Sequence, residues 1–216
     1  EGYRINHTGN QVTITSPTDK GLLYAAYHLI RLQQTQEWDK TTLPIVENPV
    51  FPIRILNHWD NLDGTIERGY AGKSLWNWEE LPAILSPRYE TYARANASIG
   101  INGTVLNNVN ASPQTLSAPY LQKVKSLADA FRPYGIKVYL SVNFASPMVL
   151  DSLETADPLN KEVIRWWKNK VKEIYQLIPD FGGFLVKANS EGQPGPCDFG
   201  RTHAEGANML ADALKP

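Results

Sequence analysis

Glu191 stands where a chain delivers an acid to a pocket. The run Phe184-Leu185-Val186-Lys187 reads as a buried strand, and it leads directly into Ala188-Asn189-Ser190-Glu191-Gly192-Gln193-Pro194-Gly195-Pro196. A carboxylate a few residues past a strand, inside a Gly/Pro-rich loop, is the geometry by which α/β barrels present an acid. Asn189 and Ser190 beside it offer hydrogen bonds to orient it. A second dense stretch runs Asn57-His58-Trp59-Asp60-Asn61-Leu62-Asp63-Gly64 and on through Glu67-Arg68-Gly69-Tyr70. The flat indole of Trp59 suits the apolar face of a pyranose ring, and His58 and Asp60 beside it suit its hydroxyls. Trp76 and Trp78 are expected to pack rather than to bind. Asp60, Asp63 and Glu67 lack the spacing of a calcium loop, so no metal is expected. His58 is read as a hydrogen-bonding residue, because sugar-cleaving chemistry relies mostly on carboxylates. For Lys187, four residues before Glu191, two roles stay open: a salt-bridged structural lysine, or a hold on an anionic substrate group. Arg201 and His203 follow the acid loop, with Arg201 expected to pair with Asp198 or Glu205.

These residues need elements to position them. Residues 1–48 read as the C-terminal part of an α/β domain. Tyr3-Arg4-Ile5 and Val12-Thr13-Ile14 alternate like two short strands around Thr8-Gly9-Asn10. Residues 16–19 then offer cap chemistry for a helix through Leu22, Leu23, Ala26, Leu29 and Ile30. Pro44, Pro49 and Pro52 mark a boundary. From 49 to 216 a strand–helix alternation follows. Strands are expected near 53–57, 103–107, 136–142 and 183–187, with helices near 87–97, 119–131, 160–177 and 203–214. Val163, Trp167, Val171, Ile174 and Leu177 recur at helical spacing in the third helix. Such units demand adjacent parallel strands with right-handed crossovers. Each strand ends in polar, aromatic or acidic residues, among them Asn107-Asn108-Val109-Asn110 and Asn143-Phe144, and no GxGxxG occurs. The expected fold is therefore α/β: the first half of a (β/α)8 TIM barrel, preceded by the end of a small α/β domain.

The chain has 216 residues, 42% of them hydrophobic, enough for a real core. A net charge of -1 shows no basic excess, so no nucleic-acid partner is expected. No apolar run approaches spanning length, so no membrane partner is expected. The single cysteine, Cys197, excludes an internal disulfide framework and a multi-cysteine metal site. A start at Glu1 and a stop after four units lead to the expectation of a fragment, whose compartment the sequence does not give.

Residues 54–73 (RILNHWDNLDGTIERGYAGK) and 182–196 (GGFLVKANSEGQPGP) closely resemble the signatures of the α-glucuronidases of glycoside hydrolase family 67. Residues 100–110 (GINGTVLNNVN) look like that family's second barrel strand. The resemblance implies hydrolysis, with inversion, of α-1,2-linked glucuronic or 4-O-methylglucuronic acid from xylo-oligosaccharides, without a cofactor. It implies Glu191 as general acid. Trp59, Val109 and Lys187 match positions in the substrate pocket, where Val109 limits the room around the sugar and Lys187 contacts the uronic acid. The base carboxylates of the family lie on later strands, beyond this chain. The implied partners are glucuronic-acid-substituted xylo-oligosaccharides, the remainder of the polypeptide and, at full length, a second copy in a homodimer. The alternative readings are a non-catalytic carbohydrate-binding half-barrel and a structural half-barrel.

Overall fold

The computed structural model describes residues 1–110, 112–189, 192 and 194–215. β1 (Tyr3–Thr8) and β2 (Gln11–Thr15) form the hairpin that the alternation predicts. Thr18 caps α1 (Asp19–Gln34) by accepting a hydrogen bond from the Gly21 N–H. A third strand, β3 (Ile45–Glu47), pairs antiparallel with β1 and gives the order β2-β1-β3. It is unmarked in the sequence, where Ile45-Val46-Glu47 stands between Pro44 and Pro49 and reads as part of a boundary. Ile5, Ala25 and Ile45 form the small core of this unit.

The second sheet is parallel. Its strands are β4 (Ile55–Asn57), β5 (Gly103–Val105), β6 (Lys137–Val142) and β7 (Gly183–Val186), in that order. The crossovers carry α2 (Pro87–Ser98), α3 (Ala118–Phe131) and α5 (Lys161–Leu177), with the short α4 (Ser146–Asp151) added after β6. α6 (His203–Ala213) follows β7. Sequential parallel strands joined by right-handed crossovers carry their helices on one face. On that face Leu106, Val138, Leu140 and Val142 meet Leu121, Val124 and Phe131 of α3 and Val163, Trp167 and Ile174 of α5. Trp76 and Trp78 belong to the same core, at 1% and 2% exposure, so they pack as expected. Asn160 accepts from the backbone of Glu162 and Val163, which is why α5 starts at Lys161.

The other face carries the register-matched residues Asn57, Val105, Tyr139 and Gly183. Gly103 and Gly182 make room there for the Tyr139 ring, which a β-carbon on either would overlap.

Candidate active site

The polar residues expected at the strand ends divide by face. His58, the residue after Asn57, turns toward the helices. Its Nε2 lies 2.7 Å from the Tyr92 hydroxyl of α2, which lies 2.9 Å from the Thr104 hydroxyl of β5. The His58 ring also meets the Trp76 and Tyr92 rings edge-on. Its Nδ1 is 3.5 Å from Asp60 Oδ2. Asp60 is 2% exposed. Its Oδ1 accepts from the Ser74 hydroxyl and from the Leu75 N–H. Burial raises the Asp60 pKa, but the hydrogen bonds from His58, Ser74 and Leu75 outweigh it and hold the carboxyl below its ordinary value. Burial is also the main reason the Tyr92 phenol is pushed up to about 12, against the Thr104 hydrogen bond, so it stays a donor at neutral pH. His58 and Asp60 are thus each held by protein groups at the exit of β4. Tyr92, Thr104 and Ser74 were not singled out from sequence. A tyrosine on the buried stripe of α2 and a threonine in a three-residue strand were the available signals.

Trp59, by contrast, is 41% exposed. Its carbonyl accepts from the Glu67 N–H, which folds the following loop back against it. Val109 is half-buried just beyond β5. Lys187, one residue beyond β7, donates from Nζ to the Asn110 side-chain oxygen, which brings the β5 and β7 exits together. Asn107 does structural work instead: its amide donates to the Ser141 carbonyl at 3.0 Å and accepts from the Ser141 N–H at 2.9 Å, so β5 stays joined to β6 past its last paired residue. Asn143 turns the chain after β6 by accepting from the Ala145 N–H.

Glu191 lies outside the described residues, but both stems of its loop are described. Asn189 sits in the left-handed region at φ 49. Its amide donates to Asp198 at 2.7 Å and accepts from the Cys197 N–H at 3.0 Å. A β-carbon on Gly195 would fall 2.5 Å from Asn189 N, so only glycine lets the two stems approach this closely. Asp198 also accepts from the Gly195 N–H, and Glu205 is taken by the Thr202 cap. Arg201 therefore pairs with neither of its expected partners. It makes a bidentate bridge to Asp157, at 2.8 Å for each contact, linking the segment before α5 to the one before α6. The Asp63 carboxylate folds back on Thr65. Among the described residues no group of three or more His, Cys, Asp or Glu could hold a metal ion.

A cavity of about 650 Å³ lies under the loop after β4, against His58, Asp60, Trp76 and Trp78, but none of Trp59, Val109 or Lys187 lines it. A smaller hollow of about 250 Å³ is lined by Asp60, Asn61, Asn108, Asn110 and Thr115.

Trp59, Lys187 and a row of amides thus stand at the exits of the parallel strands of an α/β protein. Fold comparison agrees on the architecture. A GH138 enzyme targeting pectin rhamnogalacturonan II superposes on 86% of this chain and 24% of its own, with a TM-score of 0.54 at 16% identity. A β-N-acetylhexosaminidase superposes on 98% of this chain and 56% of its own, with a TM-score of 0.51 at 15% identity. The sequence goes further, since the glycosyl hydrolase family 67 middle domain matches residues 31–216. The chain belongs to that family. It is similar to an alpha-glucuronidase of Hypocrea jecorina (46% identical over 222 residues) and to a probable alpha-glucuronidase A of Neosartorya fischeri (46% over 217 residues). Both matches cover the whole of this chain and 26% of the relative, so the chain spans about a quarter of the length of these relatives.

Proposed function

We propose that the protein containing this chain is an inverting α-glucuronidase, removing α-1,2-linked glucuronic or 4-O-methylglucuronic acid from xylo-oligosaccharides. The observation that carries this reading is the family match over residues 31–216, which includes every residue assigned a role. In this reading residues 49–216 are the first four units of a (β/α)8 barrel, and residues 1–48 close a preceding α/β domain. The four-stranded parallel order supports it.

Glu191 protonates the leaving glycosidic oxygen. A base carboxylate on a later strand activates water from the opposite side, at the roughly 6.5–9.5 Å separation an inverting pair requires. Trp59 stacks on a sugar face, Val109 limits the space beside it, and Lys187 meets the uronate. His58 and Asp60 act indirectly, holding the backbone on either side of Trp59 through their contacts with Tyr92, Ser74 and Leu75. The remainder of the polypeptide completes the site, and the homodimer remains part of the proposal.

The test is Glu191→Gln in the full-length protein, measured as kcat on a xylose-linked substrate and on an activated aryl glucuronide. A lost proton donor costs about 10²–10⁴-fold where the leaving group needs protonation and far less where a phenolate departs unaided. Equal losses on the two substrates would assign Glu191 to base or binding work instead.

A further inference from the structure

Both neighbours of Trp59 in the chain are tied to the β5 side of the sheet. The His58 N–H donates to the Val105 carbonyl at 3.1 Å, and the Asp60 carbonyl accepts from the Asn108 N–H at 2.7 Å. Behind this segment runs a line of polar side chains. The Thr104 hydroxyl lies 2.9 Å from the Tyr92 hydroxyl, and that hydroxyl lies 2.7 Å from His58 Nε2. His58 Nδ1 lies 3.5 Å from Asp60 Oδ2. The partners decide which way the hydrogens point. Asp60 is ionised at neutral pH and only accepts, so His58 Nδ1 carries a hydrogen toward it. Among the described residues the hydroxyl of the fully buried Thr104 meets Tyr92 alone, so it donates there, because leaving a buried donor unpaired is costly. Tyr92 then accepts from Thr104 and gives its own hydrogen to Nε2. That donation fixes the His58 ring as the tautomer with its hydrogen on Nδ1.

We propose that Tyr92 is a positioning residue for sugar binding: its hydroxyl locks the orientation and tautomer of the His58 ring and, through it, holds the Trp59 indole at the exit of β4. The inference rests on the proposed function, since it needs Trp59 to meet the sugar. Tyr92 belongs to α2 and not to the loop it steadies. Its ring stands edge-on to Trp76 at 5.2 Å and tilted against Phe131 at 5.7 Å, so the hydroxyl is delivered from the packed core. Phenylalanine at this position keeps those ring contacts and removes only the donor. His58 then has no partner at Nε2, and its ring is free to turn or to exchange tautomers. An indole one residue away then samples orientations that do not match a pyranose face, and binding must restore the productive one.

The experiment uses the full-length protein and a xylose-linked glucuronide. kcat and KM are measured for the wild type, Tyr92→Phe, Trp59→Ala and the variant carrying both exchanges. Tyr92→Phe is expected to raise KM about fivefold and to change kcat by less than about twofold, the pattern of lost binding with the proton donor untouched. In the Trp59→Ala background the same exchange is expected to move KM by less than about twofold, because the group that Tyr92 positions is gone. A further variant, Tyr92→Phe with Thr104→Val, separates positioning from stability. Tyr92→Phe leaves the Thr104 donor without an acceptor and lowers the melting temperature. Valine has nearly the shape of threonine and no donor, so it restores the melting temperature while KM stays raised. An unchanged KM in Tyr92→Phe, equal losses in both Trp59 backgrounds, or a KM that recovers together with the melting temperature overturns the proposal. A Trp59→Ala protein with the wild-type KM overturns the functional reading of Trp59, and the proposal falls with it.

Discussion

Asp60 is a buried carboxylate that does its work as an anion. Its pKa is lowered, so its ionised form is bound more favourably by the folded protein than by the unfolded chain. That stability is fully present above the ordinary carboxylate pKa and is lost as the pH falls through the lower folded value. Asp60→Asn keeps the shape but presents an amide to three donors. It is expected to cost about 1–3 kcal/mol at pH 7, with the gap to wild type narrowing in acid, measured by urea unfolding from pH 7 down to pH 3. A gap that stays constant with pH would mean that the carboxylate's charge is not what holds the loop. The sequence made residues 57–60 conspicuous, but not which way each one turns. His58 and Asp60 are directed by Tyr92 and Ser74, which lie 34 and 14 positions away in the chain, and no local spacing encodes such partners.

At the scale of elements, periodicity served wherever an element was long. α3 and α5 lie within a residue or so of their expected limits, since their apolar stripes run for three turns or more. β3 escaped notice, and the Arg201 partner was misassigned because Asp157 is 44 residues distant. α6 carries a further constraint that sequence alone would misjudge. Gly206 is buried within it, and a β-carbon there would come within 2.4 Å of Pro196 and 2.9 Å of Phe144. Helix propensity favours Gly206→Ala by about 1 kcal/mol. Overpacking against a ring and a proline costs about 1–3 kcal/mol, so the exchange is expected to destabilise and to press on the segment that follows Glu191. Thermal unfolding of the full-length variant measures this, and a raised melting temperature would show that the contact yields.

At the scale of the whole molecule, β4 and β7 each bond to one neighbour within the described sheet, leaving two strand edges that can pair. Catalysis needs acid, base and a positioned water together. The 216 residues expressed alone are therefore expected to associate and to show no measurable glucuronide hydrolysis, tested by light scattering and by an aryl-glucuronide assay. Turnover by a monodisperse monomer would reject the half-barrel reading. The order of the parallel strands was legible because four strand–helix units in sequence leave few other topologies. The path of the acid loop was not, since glycine and proline announce a turn without giving its direction. The division between the two faces has a consequence for how such a protein can change. At the exit of β4 the residue that grips the scaffold, His58, and the exposed Trp59 are neighbours in sequence yet belong to different surroundings. At the exit of β5, Asn108 and Val109 repeat the arrangement, one buried and one half-buried. In the proposed reading, single-codon changes at 59 or 109 explore new sugars while the anchoring codons beside them stay untouched, so specificity drifts without the fold having to drift with it.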